Sequence, residues 1–145
     1  EKVKWETKAL KKVFYKLKKA FIKRAEQADF LSEHLKLTPY KVILCGDFND
    51  TPISYTYERI IRAREFKDAF REKGRGFGST HVGIFPFLRI DHLFLDQSIK
   101  LNYFRVLKEE YSDHYPVISE FSLWELMKKP NFVQCQKKKF IYITH

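Results

Sequence analysis

The longest regular feature of the sequence is an apolar stripe with helical spacing that runs from about Glu6 to Leu35. Apolar side chains recur there at steps of three and four, and lysines fill many of the positions between them. This spacing predicts a long amphipathic α-helix, because residues three and four apart share one helix face. An apolar face of this length needs a partner, so we expect the helix to pack on a sheet rather than on a membrane or nucleic acid. The stripe consists of Leu10, Val13, Phe14, Leu17, Phe21, Ala25, Ala28, Leu31 and Leu35.

Predicted helices come early in the chain and predicted strands come late. Residues 41–45 have the composition of a short strand buried on both faces. Thr51 and Pro52 predict the N-cap and the first position of a second helix, and residues 68–71 predict a further helical turn. This order predicts an α/β fold of the layered α+β kind. Three strands are predicted after the helices, at residues 89–95, 102–108 and 117–123.

The net charge of +10 lies at the two ends of the chain. The excess of basic over acidic residues is +6 in residues 1–36, zero in residues 37–123 and +4 in residues 124–145. A lysine-rich, solvated helix face accounts for the first excess, and the middle of the chain is neutral. Charge alone therefore does not identify a nucleic acid as the substrate.

The length of 145 residues is sufficient for one hydrophobic core. No apolar run approaches the roughly 20 residues needed to span a bilayer, and the N-terminus lacks the apolar region of a signal peptide. We expect a soluble protein, cytoplasmic by default, with export or anchoring through a segment ahead of Glu1 left open. Cys45 and Cys135 lack the spacing of a metal site or disulfide framework and are interpreted as ordinary thiols.

Three short motifs centred on aspartate supply the groups that could cleave a phosphate ester. They are GDFND at residues 46–50, RIDH at residues 89–92 and SDHYP at residues 112–116. Asp47 and Asp113 can provide oxygen ligands for Mg²⁺ or Mn²⁺. Asn49 adds an uncharged amide that can hold a phosphate oxygen or orient the attacking water.

His114 is the candidate general base, because the unperturbed pKa of histidine, about 6.5, lies close to neutral pH. Such a base needs a carboxylate to orient its second ring nitrogen, and Asp91 on a separate strand is the best candidate. A purely structural interpretation pairs Asp91 with Arg89 or Arg105 and treats the SDHYP motif as a simple turn. The joint appearance of three motifs at strand ends or on strands favours the chemical interpretation.

The three motifs resemble those of the endonuclease/exonuclease/phosphatase superfamily, which has the DNase I-like fold. The resemblance covers roughly residues 15–123 and rests on GDFN, on the RID sequence and on SDHYP. It implies half of a four-layer DNase I-like α/β sandwich. Residues 1–123 are then the C-terminal portion of the domain, and residues 124–145 are a basic C-terminal extension that contains either an edge strand or an irregular tail.

The resemblance also implies roles for individual residues. Asp47 and Asn49 would contact the phosphate and the attacking water, and Asp91 would orient His114. Asp113 would help to bind the metal, and Thr80 would lie near the substrate. The implied activity is phosphoester hydrolysis with Mg²⁺ or Mn²⁺ as cofactor. A nucleic acid, a phosphoinositide and a phospholipid headgroup all remain candidate substrates.

The first half of the family pattern is not found in this chain. Missing are an asparagine on the first strand, the glutamate that is the principal metal ligand and the first catalytic histidine motif. We therefore expect the chain alone to be an incomplete and inactive fragment. Half a sandwich also leaves a face uncovered, so we expect pairing with the missing N-terminal half or a homo-oligomer.

Two alternative functions remain open at this point. The first is a non-catalytic remnant that binds nucleic acid or a partner through the basic helix and tail. The second is a calcineurin-like metallophosphoesterase, because residues 46–50 also fit the GDxxD pattern, although the later histidine motifs of that class are missing. The glycines between Gly74 and Gly78 are interpreted as a surface loop rather than a phosphate cradle.

Overall fold

The fold was described from a computed structural model that covers residues 2–83, 85, 87–123 and 139–143, with side chains described for residues 10–83, 85 and 87–122. Helices precede most of the strands along the chain, as the sequence predicts. The elements are α1 (Lys2–Leu37), β1 (Ile43–Asp47), α2 (Tyr55–Ala63), β2 (Lys67–Asp68), α3 (Ala69–Lys73), β3 (Asp91–Leu95), β4 (Ile99–Val106), β5 (Val117–Leu123) and β6 (Lys139–Ile143).

The strands form two antiparallel sheets of three strands each within the described residues. The first sheet has the order β1-β3-β2, and the second has the order β4-β5-β6. In the second sheet β4 and β5 are successive strands paired from Ile99↔Leu123 to Val106↔Val117. Strand β6 belongs to the predicted C-terminal extension and pairs with β5, so the edge-strand alternative is the one that the structure contains.

Strand β3 lies between two apolar clusters, and all five of its residues are buried. On one face, Phe94 packs with Ala28 of α1 and Ile60 of α2. On the other face, Leu93 and Leu95 join a cluster with residues of the second sheet. Since side chains alternate across a strand, β3 buries both faces, with helices on one side and the second sheet on the other. This layered mixture of helices and sheets confirms the predicted fold class.

Among the side chains described from Leu10 onward, helix α1 packs on the rest of the fold through its C-terminal half. Ala28 and Leu35 are buried, and Asp29 and Glu33 accept hydrogen bonds from Arg59 of α2 at 2.6 and 2.8 Å. The N-terminal half carries the rest of the apolar stripe uncovered, with Leu10, Val13, Phe14, Leu17 and Phe21 each 47–65% exposed. Within the described residues, no helix combines the length and apolarity needed to cross a bilayer.

Two local predictions were wrong. The N-cap of α2 is Ser54, whose Oγ accepts a hydrogen bond from Tyr57 N at 3.2 Å, and not Thr51. Thr51 instead accepts from Ser54 N at 3.0 Å in a turn ahead of the helix, which delays the helix start. Strand β1 is also not buried on both faces, since none of its five residues is fully buried and Cys45 is exposed.

Candidate active site

The register of β1 and β3 brings two of the aspartate motifs together. Antiparallel pairing sets Gly46 opposite His92 and Asp47 opposite Asp91. One residue further on, Phe48 N donates to Ile90 O at 2.9 Å. The end of β1 and the start of β3 therefore lie side by side, and two carboxylates from distant parts of the sequence share one edge of the sheet.

Asp91 contacts the histidine of the third motif. His114 Nδ1 lies 2.9 Å from Asp91 Oδ2, and the two side chains are 12% and 1% exposed. A carboxylate accepts hydrogen bonds, so Nδ1 carries the proton and Nε2 lies on the opposite edge of the ring. This arrangement fixes the tautomer and orientation of the imidazole, as an orienting carboxylate does in a catalytic triad. Arg89, one of the two arginines considered as a partner of Asp91, instead forms an ion pair with Asp68, with 2.7 Å between Nη2 and Oδ2.

The segment that carries His114 is held against the segment that carries His81. These two histidines face each other across an isolated antiparallel bridge. Val82 N donates to Asp113 O at 2.8 Å, and Tyr115 N donates to Thr80 O at 2.7 Å. The third motif is thus an extension of backbone pairing and not an isolated turn.

Thr80 lies beneath the site and is completely buried. Its Oγ1 accepts hydrogen bonds from the backbone N–H groups of Ile90 and Asp91, both at 3.0 Å. The buried hydroxyl holds the start of β3 in place, and the predicted position of Thr80 near the substrate stays a prediction.

Asp47 and Asn49 form a small closed turn at the end of β1. Asn49 donates to Asp47 twice, from its backbone N to Oδ1 at 2.7 Å and from Nδ2 to Oδ2 at 2.8 Å. The backbone of Asn49 has a φ of 51°, a left-handed conformation that asparagine tolerates better than most residues. Asn49 is exposed and Asp47 is half-buried, so both side chains are accessible from solvent.

The next residue of the same motif is tied to helix α1. Asp50 is 6% exposed and forms an ion pair with Arg24, with 3.2 Å between Oδ2 and Nε. The backbone oxygen of Asp50 lies 2.8 Å from His92 Nε2. These contacts connect the GDFND motif to α1 on one side and to β3 on the other, so the loop is supported from two directions.

A buried polar network lies under the site. Arg89 donates to both oxygens of Asp68, at 2.7 and 3.1 Å, and Tyr57 Oη donates to Asp68 Oδ2 at 2.6 Å. Burial favours a higher pKa for Asp68, but the hydrogen bonds and charge of Arg89 outweigh it and hold that pKa below its ordinary value. The arginine of the RIDH motif is therefore a structural residue that anchors the start of β3.

Two groups of side chains can hold a metal ion. In the first, one ligand atom each from Asp47, Asp91 and His114 lie within 4.8 Å of one another. In the second, the same is true of His81, Asp113 and His114. Among the described residues Asp47 and Asp113 thus fall in different groups, and their predicted role as metal ligands stays a prediction.

His81 is the residue of the site that sequence reasoning missed. Its ring lies 5.3 Å from that of His114, centroid to centroid, at an interplanar angle of 75°. The only signal in the sequence is its position directly after Thr80. A lone histidine in a loop carries no periodicity or motif, so only the pairing of the two segments shows its proximity to His114.

A cleft with a volume of about 990 Å³ opens beside His81. Four basic residues are among its lining, and none of the lining residues in this described part of the chain is acidic. The ammonium group of Lys108 lies 3.9 Å from the centre of the Tyr115 ring and donates to Ser79 O at 2.8 Å. The cleft therefore combines positive charge with aromatic surface next to the histidine pair. The basic residues are Lys73, Arg75, Arg105 and Lys108.

The amino-acid sequence matches the profile of a known protein family. The sequence profile described as the Endonuclease/Exonuclease/phosphatase family matches residues 19–114, which is more than half of the chain. This range contains the first two motifs and ends at His114 of the third. Comparison with curated proteins gives no match.

Solved structures also resemble the chain. One is a crystal structure of an endonuclease/exonuclease/phosphatase family protein from Bacteroides thetaiotaomicron, with a TM-score of 0.58 and 25% identity, covering 68% of this chain and 43% of that one. Another is a mannosyl-6-phosphatase from the same organism, with a TM-score of 0.59 and 25% identity, covering 68% and 45%. The chain thus spans less than half the length of these two proteins.

Proposed function

Because the chain belongs to the endonuclease/exonuclease/phosphatase family, we propose that the intact protein is a metal-dependent phosphoester hydrolase. The single observation that carries this proposal is the 2.9 Å contact between His114 Nδ1 and Asp91 Oδ2, beside Asp47 on the neighbouring strand. Family membership supports a hydrolytic enzyme, and the geometry of these residues supports their part in it.

In the proposed mechanism His114 moves the proton. Asp91 holds Nδ1–H, so that Nε2 accepts a proton from the attacking water or returns one to the leaving oxygen. Asp91 is nearly fully buried, which keeps the carboxylate in place and strengthens its interaction with the imidazolium that forms. His114 is thus the base, and Asp91 is the positioning residue.

Asp47 and Asn49 act on the phosphate side of the proposed reaction. The carboxylate of Asp47 would hold the divalent cation, Mg²⁺ or Mn²⁺, since both prefer oxygen ligands and accept one or two carboxylates beside waters and substrate. When bound, the cation would neutralise charge on the phosphate. The side-chain amide of Asn49, which donates one hydrogen bond to Asp47 Oδ2, could donate another to a phosphate oxygen without adding negative charge.

We further propose that this chain alone is inactive, because the metal and substrate shell is incomplete. Asp113, the second predicted metal ligand, groups with His81 instead of Asp47. Solved relatives are more than twice as long as the matched region, and the uncovered half of α1 offers an apolar surface for a further unit. A missing N-terminal half of the domain, or a second copy of the chain, would cover that surface.

The basic cleft supports an anionic substrate that extends beyond the reacting phosphate. Its four basic residues lie next to His81, which contacts the ring of His114. Nucleic acids, phosphoinositides and phospholipid headgroups all meet this requirement. A sugar phosphate joins these candidates because one solved relative is a mannosyl-6-phosphatase.

The competing function is a non-catalytic remnant that binds nucleic acid or a protein through its basic helix and tail. The calcineurin-like interpretation is not proposed further, since the family profile spans GDFND and RIDH and reaches the histidine of SDHYP. The remnant and the enzyme differ in one measurable respect. A remnant binds its partner without any dependence on divalent metal.

The decisive experiment assays the full-length protein with Mg²⁺ or Mn²⁺ against plasmid DNA, an abasic oligonucleotide, inositol phosphates, sphingomyelin and mannose 6-phosphate. We expect hydrolysis of at least one substrate, loss of activity with a chelator and no activity of residues 1–145 alone. Replacement of His114 by Ala should abolish turnover, and Asp91→Asn should lower kcat by about 10²–10⁴-fold with a smaller change in KM.

The matched control for these substitutions is His34→Ala, on an exposed part of α1. It should retain the activity of the unmodified protein. Metal-independent binding without hydrolysis of any substrate would favour the remnant instead. Full activity of His114→Ala would remove that residue from the mechanism.

A further inference from the structure

We propose that His81, Asp113 and His114 form a binding site for a borderline transition-metal ion such as Zn²⁺, and that this ion inhibits the hydrolase by occupying His114. The binding part of this proposal stands on geometry and donor chemistry. The inhibitory part rests on the proposed function, because it requires His114 to act as the base.

The donor set is that of a zinc site. One ligand atom from each of the three residues lies within 4.8 Å of the other two. Two imidazoles and one carboxylate suit zinc, nickel or copper, whereas Mg²⁺ prefers oxygen ligands throughout. Accessible zinc sites in proteins usually have three protein ligands and an open fourth position, and this group supplies three ligands.

The backbone already holds the three ligands near one another. His81 and His114 face each other across an antiparallel bridge, and Asp113 O accepts a hydrogen bond from Val82 N at 2.8 Å. The imidazole centroids are 5.3 Å apart. Since both segments are fixed by backbone hydrogen bonds, an ion would need only side-chain rotation to complete its coordination.

The second shell of His114 also has the form found at metal centres. Histidine ligands usually donate their other ring N–H to a carboxylate, which fixes the ring and raises the basicity of the coordinating nitrogen. Asp91 occupies that position, 2.9 Å from Nδ1 and almost fully buried. The ion would coordinate Nε2, the atom that accepts the proton in the proposed reaction.

Two of the three ligands are accessible to solvent. Asp113 is exposed and His81 is half-buried, so an ion can enter without any opening of the fold. The ion would share His114 with the group that contains Asp47 and Asp91. An ion bound through His81 and Asp113 therefore takes the imidazole away from proton transfer, whatever cation Asp47 holds.

Calorimetric titration of residues 1–145 with Zn²⁺ tests the binding part without reference to activity. Co²⁺ titration followed by visible absorption gives an independent readout, because four-coordinate Co²⁺ has distinctive bands. We expect one site, and we expect His81→Asn and Asp113→Asn each to weaken Zn²⁺ binding at least about tenfold, since even second-shell changes cost about 10–100-fold.

Two variants serve as controls for the position of the ion. His34→Asn removes an exposed histidine of α1 and should leave the affinity for Zn²⁺ unchanged. Asp47→Asn alters the other group and should also leave it unchanged. Unchanged Zn²⁺ affinity in both His81→Asn and Asp113→Asn overturns the proposal, and so does a loss of affinity confined to Asp47→Asn.

Circular dichroism of each variant shows whether the fold is retained. Asp113 is at an exposed position, so Asp113→Asn keeps the test valid if His81→Asn unfolds.

The inhibitory part is tested in the full-length protein with Mg²⁺ present. Zn²⁺ should inhibit hydrolysis, with the rate of each protein expressed as a fraction of its own rate without Zn²⁺. The Zn²⁺ concentration for half-inhibition should be at least about tenfold higher for His81→Asn than for the unmodified protein. Tight Zn²⁺ binding that depends on His81 but does not inhibit would overturn the inhibitory part alone. A protein without hydrolase activity would still show the predicted binding, so the failures of the two proposals are distinguishable.

Discussion

His92 illustrates how a single side chain is set by the residues packed around it. Its Nδ1 lies 3.1 Å from Arg89 Nη1, and its Nε2 lies 2.8 Å from Asp50 O. Because a guanidinium only donates, Nδ1 accepts and Nε2–H donates to the carbonyl, which defines a neutral tautomer. Burial lowers the pKa of His92 to about 4, and the charge of Arg89 acts in the same direction.

This pKa predicts a pH dependence of stability. The unfolded chain takes up a proton on His92 near pH 6.5, whereas the folded chain does so only near pH 4, so the free energy of unfolding falls as pH falls through that window. We expect a loss of about 2 kcal/mol from His92 between pH 7 and pH 5. Urea unfolding across this range measures it, and His92→Gln should flatten the slope. An equal slope in both proteins would contradict the neutral, buried state.

Two glycines of the 74–80 loop provide a matched test of packing at a single position. Gly76 and Gly78 have φ values of 70° and 69°, so an alanine at either site is strained by about 1–2 kcal/mol. A Cβ at Gly78 would lie 2.2 Å from the ring of Phe70, whereas a Cβ at Gly76 meets nothing within 4 Å. We therefore expect Gly78→Ala to lower the free energy of unfolding by about 1–3 kcal/mol more than Gly76→Ala. Equal effects in thermal or denaturant unfolding would show that Phe70 does not require this glycine.

At the scale of secondary-structure elements, the buried pair of Asp68 and Arg89 connects the start of α3 to the start of β3. Asp68 is the N-cap of α3, and its Oδ1 also accepts from Phe70 N at 2.9 Å. Asp68 and Arg89 are 3% and 4% exposed. Burying one of these charges without its partner is costly, so the pair supports the packing of α3 against the segment that leads into Asp91.

Removal of one partner of this pair should be costly. Arg89→Ala leaves the Asp68 carboxylate buried with its main counter-charge gone, and we expect a loss of about 3–5 kcal/mol in the free energy of unfolding. The control is Arg62→Ala, which breaks the pair of Arg62 with Glu58 on the exposed surface of α2. Arg62 is 79% exposed, so that change should stay within about 0.5 kcal/mol. Denaturant unfolding of both variants provides the comparison, and similar losses would contradict the structural role of Arg89.

At the scale of the whole molecule, the N-terminal half of α1 presents a row of exposed apolar side chains, Leu10, Val13, Phe14, Leu17 and Phe21. Its apolar stripe continues the buried face of the C-terminal half, yet Phe14 and Phe21 are 65% and 53% exposed. Contiguous apolar area of this kind marks an interaction surface. The stripe therefore agrees with the proposal that a further unit, either the missing half of the domain or a second copy, covers the helix.

We expect the chain alone to self-associate through this stripe. Sedimentation velocity over a concentration series should show oligomers, and the double substitution of Phe14 and Phe21 by Gln should shift the distribution to monomer. Phe30→Gln is the control, because Phe30 is 79% exposed on the same helix but lies outside the stripe. A monomer at every concentration, or an equal effect of Phe30→Gln, would contradict this assignment of the surface.

The sequence by itself determined the approximate positions of most helices and strands and the identity of the chemical groups. The apolar stripe predicted a helix from about Glu6 to Leu35, which lies within α1 (Lys2–Leu37), and residues 117–123 were predicted as the strand that the structure contains. These predictions succeed because helical and strand periodicity are local properties. Asp47, Asn49 and His114 were also identified from the sequence, because each belongs to a motif of fixed residue types and spacing. Their catalytic roles stay predictions.

The sequence indicated Asp91 as the carboxylate beside His114, and the structure contains that contact. Only the tertiary structure decided the other contacts of the site. The pairing of Asp47 with Asp91 follows from the register of two strands more than 40 residues apart in sequence, and the position of His81 follows from backbone pairing with the segment of His114. The burial of Thr80 and the choice of Asp68 as the partner of Arg89 depend on the same long-range packing. Local composition carries no information on register, because a slip of one residue leaves the sequence unchanged but reverses the face of every side chain.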